Sequence, residues 1–308
     1  MAAVVTTLAF FLIQLAPGDP FVWILENPGI DATLRDRLRA QFGLDQPVAV
    51  QYVRYLANVA RGDFGHSFAM SQPVSTAIAQ ALPNTLLLMG TALALSFVLG
   101  VGLGVVQAAR PGSLPDRASR GLALAVYSVP DFWLAALLLI VFAGWLRWFP
   151  PGGDASLFAE SLAPWRRALD RAHHLVLPAL TLVLVTTAAV SRFQRAALLD
   201  TLAEDYVRTA IAKGLSRRAA VLRHALRNAL LPVVTLLGLA LPALLGGAVF
   251  VERVFAWPGM GSLLVNAVTQ RDYFLLTGCV LVGSLTVVAG SLLADLLAIA
   301  ADPRQRRS

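Results

Sequence analysis

Cysteine is nearly absent from this chain: Cys279 is the only one in 308 residues. One thiol excludes an intrachain disulfide framework and any cysteine-based metal cluster. Within its apolar run, Cys279 reads as a small core residue. Charge is scarce too, at 14% of residues, where a soluble globular chain carries about 25%. Lysine is reduced to Lys213. No Gly-x-x-x-x-Gly-Lys-Ser/Thr occurs, and Lys213 precedes its glycine in "AKG", the wrong order for a phosphate loop. The chain is therefore expected to bind no ATP of its own. Neither Gly-x-Ser-x-Gly nor His-Glu-x-x-His is present, so no catalytic residue is assigned. The adjacent His173 and His174, beside Arg171, read as a polar cap at a membrane edge, and no metal site is assigned.

What is there is apolar residue, 57% of the chain, above the usual 45–50% or so. A helix needs about 20 apolar residues to cross about 30 Å of hydrocarbon. Five runs meet or approach that length: residues 84–108, 121–146, 175–191, 229–251 and 274–301. A sixth, residues 2–16, is 15 residues long and would cover roughly 22 Å; it is expected to be a first span shortened at its start. Pro130, Pro178, Pro232 and Pro242 fall in these runs, and buried spans tolerate proline. Asp131 and Asp295 also fall in them, and an acid inside a span defaults to function. Either could serve a proton relay, against the plainer readings of a helix–helix hydrogen bond for Asp131 and an ion pair between Asp295 and the basic tail.

Six spans put both termini on one side of the membrane, and the distribution of the +7 net charge selects that side. Residues 110–120, 192–228 and 303–308 hold 14 Lys and Arg. The much longer segments 17–83, 147–174 and 252–273 hold 11, balanced by 11 acids. The first set is expected to face the cytoplasm. Because the basic residues border apolar runs, lipid rather than nucleic acid is the expected charged partner.

The densest basic block, "EDYVRTAIAKGLSRRAAVLRHALRNALLP" at 204–232, joins two spans. Residues 203–213 favour helix, Gly214 breaks it, and Ser216 is placed to cap a second helix over 217–228. In the second helix Ala219, Leu222, Leu226, Ala229 and Leu230 form the apolar stripe, with Arg223 and Arg227 on another face. Tyr206, Ala210 and Lys213 share a face of the first. Such a basic helix–Gly–helix could lie on anionic headgroups or dock into a soluble partner. Outside, residues 32–65 read as two helices, the second over 47–60, and 161–174 as a short interfacial helix anchored by Trp165. Small residues in "GVGLGVV" (100–106), "GLALPALLGGAV" (238–249) and "GSLTVVAGS" (283–291) let helices approach closely. "FAWPGMG" (255–261) reads as a tight turn, with Trp257 as an interfacial cap.

The loop resembles the coupling loop of ABC-importer permeases of the dipeptide/oligopeptide/nickel branch, through "DYVRTAIAKGL" (205–215) and "RHALRNALLP" (223–232). "LAPGDP" (15–20), "GDFGHSF" (62–68), "LPNTLLL" (82–88), "HLVLPALTL" (174–182), "VERVFAWPGMGSLL" (251–264), "RDY" (271–273) and "DPR" (302–304) resemble family stretches in the same order, over nearly the whole chain. The general loop signature of such permeases opens on Glu-Ala-Ala; this chain has Arg208-Thr209-Ala210 before Gly214, so Ala210 and Gly214 carry over and a glutamate contact does not. The family's Asn before the last acid of the final span is also missing, because Leu292-Leu293-Ala294 precede Asp295.

The resemblance implies an all-α integral membrane protein with the six-helix type I ABC-importer fold, of the B-type subunit. Its parts would be a first span at 1–16, an extracytoplasmic helical segment at 17–83, a permease core at 84–301 with the coupling loop at 192–228, and a tail at 302–308. It implies coupling residues Asp205, Tyr206, Arg208, Thr209, Ala210, Lys213, Gly214 and Leu215. It also implies an outer pathway, on the binding-protein side, at Trp257, Pro258, Gly259 and Gly261. The implied partners are a second, C-type permease, two ATP-binding subunits or one fused ATPase that hold ATP and Mg, and an extracytoplasmic solute-binding protein, in a bacterial plasma membrane. The alternative is a self-sufficient proton-coupled secondary transporter using Asp131 or Asp295; a membrane enzyme or receptor subunit lacks the residues it would need.

Overall fold

The computed structural model describes residues 45–301 together with Val4, Thr7, Leu8, Phe10 and Phe11. The first-span run, the first outer helix and the tail therefore lie outside or mostly outside the described residues. Proline and glycine set most of the element boundaries. Helix α1 (Val48–Ala60) starts after Pro47, as its position in the sequence predicts. Strands β1 (His66–Ser67) and β2 (Gln72–Pro73) pair antiparallel in a two-residue ladder that the sequence does not announce. Helix α2 (Val74–Ala109) follows, then α3 (Leu114–Tyr127) and α4 (Asp131–Leu138), which runs into a π turn at Leu139–Trp145. Helix α5 is Pro164–Leu202 and α6 is Asp205–Ala212. Beyond Gly214 come α7 (Arg217–Ala220), a π turn (Val221–Ala225), α8 (Leu226–Ala229) and α9 (Leu231–Val254). Helices α10 (Met260–Thr269) and α11 (Tyr273–Ala301) end the described chain.

Among the described residues four helices are long and apolar enough to cross a membrane, Val74–Ala109, Pro164–Leu202, Arg218–Gly238 and Tyr273–Leu296. The broken pair α3 and α4, bent by 103°, makes a fifth. Here the expectation of a continuous span over 121–146 is corrected. Pro130 offers no N–H to continue the ladder and pushes Val129 out of the helical region, so α3 stops at Tyr127 and Pro130 caps α4 instead. Pro178, by contrast, sits inside α5 without ending it. The separate interfacial helix over 161–174 is corrected as well. No glycine intervenes, so from Pro164 onward the segment is the first part of α5, with Trp165 exposed in its first turn. At 39 residues α5 is about 58 Å long, nearly twice the hydrocarbon thickness. Its C-terminal end leads into the loop.

The chain divides into two compact units, residues 1–84 with 259–288, and residues 85–258 with 289–308. In the first, Val74, Ala77, Ile78 and Ala81 of α2 pack with Met260, Leu263 and Ala267 of α10 and with Leu275 and Cys279 of α11. The contact is close because Gly278 has no side chain: a Cβ there would lie 2.7 Å from Val74 Cγ1. Buried Asp272 caps α11 by accepting from Leu275 N–H at 3.0 Å, and its other oxygen accepts from Ser67 Oγ at 2.6 Å and Ala69 N–H at 3.1 Å.

In the second unit, Leu88, Met89 and Ala92 of α2 meet Leu175, Leu177, Ala179, Leu182 and Val183 of α5, together with Val251, Phe255 and Trp257. Further along, α2 and α5 come nearly into backbone contact at Gly100 and Gly104. A Cβ on Gly100 would fall 2.6 Å from Val190 Cβ, and one on Gly104 would fall 2.7 Å from Gln194 Cβ. The small-residue pattern thus works as a packing seam. Glu252, counted from sequence among the outer loop residues, lies within α9 and is fully buried, accepting a 2.6 Å hydrogen bond from Thr85 Oγ1.

Candidate functional site

Helix α5 ends at Leu202, and Glu204, in extended conformation, is the N-cap residue of α6, its backbone carbonyl accepting from the N–H groups of Val207 and Arg208. Of the eight residues of α6 only Val207 is buried. It packs on Ala108 at the end of α2, on Leu198 of α5, and on Ala220, Val221, Ala225 and Ala229. One inward anchor leaves Asp205, Tyr206, Arg208, Thr209 and Ile211 exposed. Lys213 then ends the helix. Gly214, at φ +94°, reverses the chain while Leu215 N–H closes on Ala210 O at 3.2 Å and Gly214 N–H on Ile211 O at 2.9 Å. This is a glycine-based C-cap of the Schellman type, and the half-buried Leu215 packs back onto the core beside Val207.

Ser216 caps the return as predicted, accepting from Ala219 N–H at 3.3 Å. The return helix differs from expectation in its register. A π turn at Val221–Ala225 inserts an extra residue per turn, so the buried stripe is Ala220, Val221, Ala225 and Ala229, and Leu222 is exposed. Three of those four are alanines, which lets the helical return lie close to α5. Asn228 Nδ2 donates to Tyr206 Oη at 2.8 Å and ties the return to α6. The result is a short helix held at its base, with Tyr206, Arg208, Thr209, Ile211, Lys213 and Gly214 on an open surface. Ala210 and Leu215 are half-buried beneath it. The Arg208–Asp205 pair at 3.8 Å is exposed on both sides and adds little.

The sequence did not point to the group that braces this loop. Asp116 sits in the first turn of α3 and is buried. Its carboxylate accepts from Arg195 of α5 through Nε at 3.1 Å and a second guanidinium nitrogen at 3.3 Å, and from Gly112 N–H at 2.8 Å. Arg120 approaches to 3.1 Å. The only signal in the sequence was "PGSLPD" (111–116), a turn-and-cap pattern with an acid in the first helical turn.

The expected outer residues are more packed than exposed. Trp257 is fully buried rather than interfacial, its backbone N–H donating to Glu252 O at 2.8 Å. Phe255 O accepts from Gly153 N–H at 2.9 Å, and Ala256 takes φ +48°. Pro258 is exposed, whereas Gly259 and Gly261 are buried at the start of α10. Asp131 is half-buried in the first turn of α4 and Asp295 is exposed in α11, while the tail expected to pair with it lies outside the described residues. His173 contacts Trp148 O at 2.9 Å and His174 contacts Asp170 O at 2.8 Å. Among the described residues no cluster of His, Cys, Asp and Glu could hold a metal ion.

Residues 100–307 match the family described as binding-protein-dependent transport system inner membrane component, and residues 1–89 match its N-terminal companion. The chain is 40% identical to the oligopeptide transport system permease protein AppB of Bacillus subtilis (strain 168), over 97% of this chain and 93% of the relative. It is 39% identical to the glutathione transport system permease protein GsiC of Escherichia coli (strain K12), over 98% of this chain and 94% of the relative. A solved structure of the MetNI methionine ABC transporter in inward-facing form shares the fold, with TM-score 0.59, 16% identity, and coverage of 73% of this chain and 96% of that one.

Proposed function

The chain belongs to the family of binding-protein-dependent transport system inner membrane components, and from that premise we propose that residues 205–215 are its contact with an ATP-hydrolysing partner. The protein is the inner-membrane permease subunit of an ABC importer and has no ATPase site of its own; that membership displaces the proton-coupled alternative. The observation that carries the proposal is the build of the loop. Val207 roots α6 in the bundle while Tyr206, Arg208, Thr209, Ile211 and Lys213 face outward. Helix α5 ends two residues before α6, and the short helices and π turn of residues 217–229 lead from the loop into α9.

In this reading ATP and Mg bind to two ATPase subunits or one fused ATPase. Closure of those subunits pushes on α6, and α5 and α9 tilt with it. This chain and a second, C-type permease line the path between them. A solute-binding protein delivers cargo at the outer face near Pro258, over a turn that the buried Trp257 stiffens. Relatives named for oligopeptide and glutathione transport support a peptide or peptide-like solute.

The test is to purify the chain from its own membranes in mild detergent and identify what accompanies it. Two ATPase chains and a homologous permease are expected. Gly214→Trp should then leave ATP hydrolysis in place and abolish uptake. A chain that purifies alone and still transports in vesicles contradicts the proposal.

A further inference from the structure

Helices α5 and α9 are joined to the loop by the chain itself. The broken span α3–α4 is not, so it needs another link if it is to follow the loop. Two side chains of α5, one turn apart, reach α3. Arg195 forks onto the buried Asp116 carboxylate at the start of α3, and the Arg192 guanidinium lies 5.4 Å from the Tyr127 ring centroid at its end. Gln107 of α2 adds a 3.1 Å hydrogen bond to Ser119. The Asp116 carboxylate also fixes the turn before α3, where Gly112 at φ +78° donates to it. A planar fork on a carboxylate fixes orientation as well as distance. One helical turn beyond Tyr127, Pro130 breaks the span by 103°.

We propose that Asp116 and Arg195 are positioning residues for transport, a clamp that makes α3 move with the loop-bearing end of α5 and so carries the stroke to α4. This rests on the reading of residues 205–215 as the ATPase contact.

The assay uses the complete transporter, reconstituted in vesicles with its ATPase, partner permease and binding protein. It measures ATP hydrolysis and uptake of an isotopically labelled mixture of short peptides. Asp116→Asn keeps the shape and removes the charge; Arg195→Met removes the fork. Each single variant is expected to assemble, to hydrolyse ATP within about twofold of the parent, and to lose uptake roughly tenfold. The double variant should lose no more than either single one, because both remove the same link. Arg195→Lys, which keeps the charge without the fork, should fall between. Uptake and hydrolysis falling in parallel, loss of assembly in all variants, or additive losses would each overturn the clamp. Gly214→Trp separates the two claims. If it uncouples while Asp116→Asn does not, the clamp alone fails; if neither uncouples, the loop reading fails.

Discussion

Gly214 is the residue on which the loop turns, and its substitution can be worked out in advance. Its φ of +94° lies where an L side chain is strained, yet a Cβ there would meet nothing within 4 Å. The cost of Gly214→Ala is therefore torsional and not steric, about 1–2 kcal/mol. Asn tolerates left-handed backbone better than Ala, so Gly214→Asn should cost less. The strain falls on the two hydrogen bonds that close the cap, from residue 214 N–H to Ile211 O and from Leu215 N–H to Ala210 O. A cost of about 1–2 kcal/mol multiplies the local opening constant roughly 5- to 30-fold. Hydrogen exchange read by mass spectrometry on peptides spanning the loop measures that factor. Faster exchange confined to residues near 211–216, with Ala above Asn, is expected. The reasoning is refuted if Ala exchanges like the parent, if Asn exceeds Ala, or if protection falls along all of α5.

Three further outcomes follow from packing and charge. Gln194 is fully buried and neither polar atom of its amide has a partner; Gln194→Met should stabilise the protein by about 1–3 kcal/mol, seen as a higher unfolding temperature, and a lower one would contradict the assignment. Gly104→Ala would bring a Cβ to 2.7 Å from Gln194 Cβ and 2.9 Å from Ser191 O, so it should cost about 1–3 kcal/mol through overpacking, and an unchanged unfolding temperature would sink the seam. Asp116 faces Arg195 and Arg120, so Asp116→Asn removes the charge that pairs with the Arg195 fork and should lower the unfolding temperature, and an unchanged one would contradict the pairing.

What could be read from sequence was what depends on local chemistry. The apolar runs, the Gly214 break, the Ser216 cap and the start of α1 after Pro47 all follow from residues within a turn of one another. Within α6 itself Val207 is the one buried residue. What escaped needed partners distant in sequence. Asp116 and Arg195 are 79 positions apart, and Thr85 and Glu252 are 167 apart, so neither pair leaves a periodic trace. The π turn at Val221–Ala225 moved the buried stripe by shifting register, which a fixed helical period cannot foresee. Pro130 and Pro178 look alike in sequence, yet only Pro130 ends a helix. Trp257 looked like an interfacial anchor because aromatics favour that position, but the turn folds its ring into the core instead.

The central claim, that residues 205–215 meet the ATPase, is tested most directly by site-specific cross-linking in the assembled transporter. Cys279 is the sole cysteine and is buried, so Cys279→Ser provides a clean background. Thr209→Cys and Pro258→Cys, both at exposed positions, would then be joined to their neighbours with a short cross-linker. The account predicts that position 209 captures an ATPase subunit and position 258 does not. An active transporter in which position 209 captures no ATPase, or in which position 258 does, would contradict it.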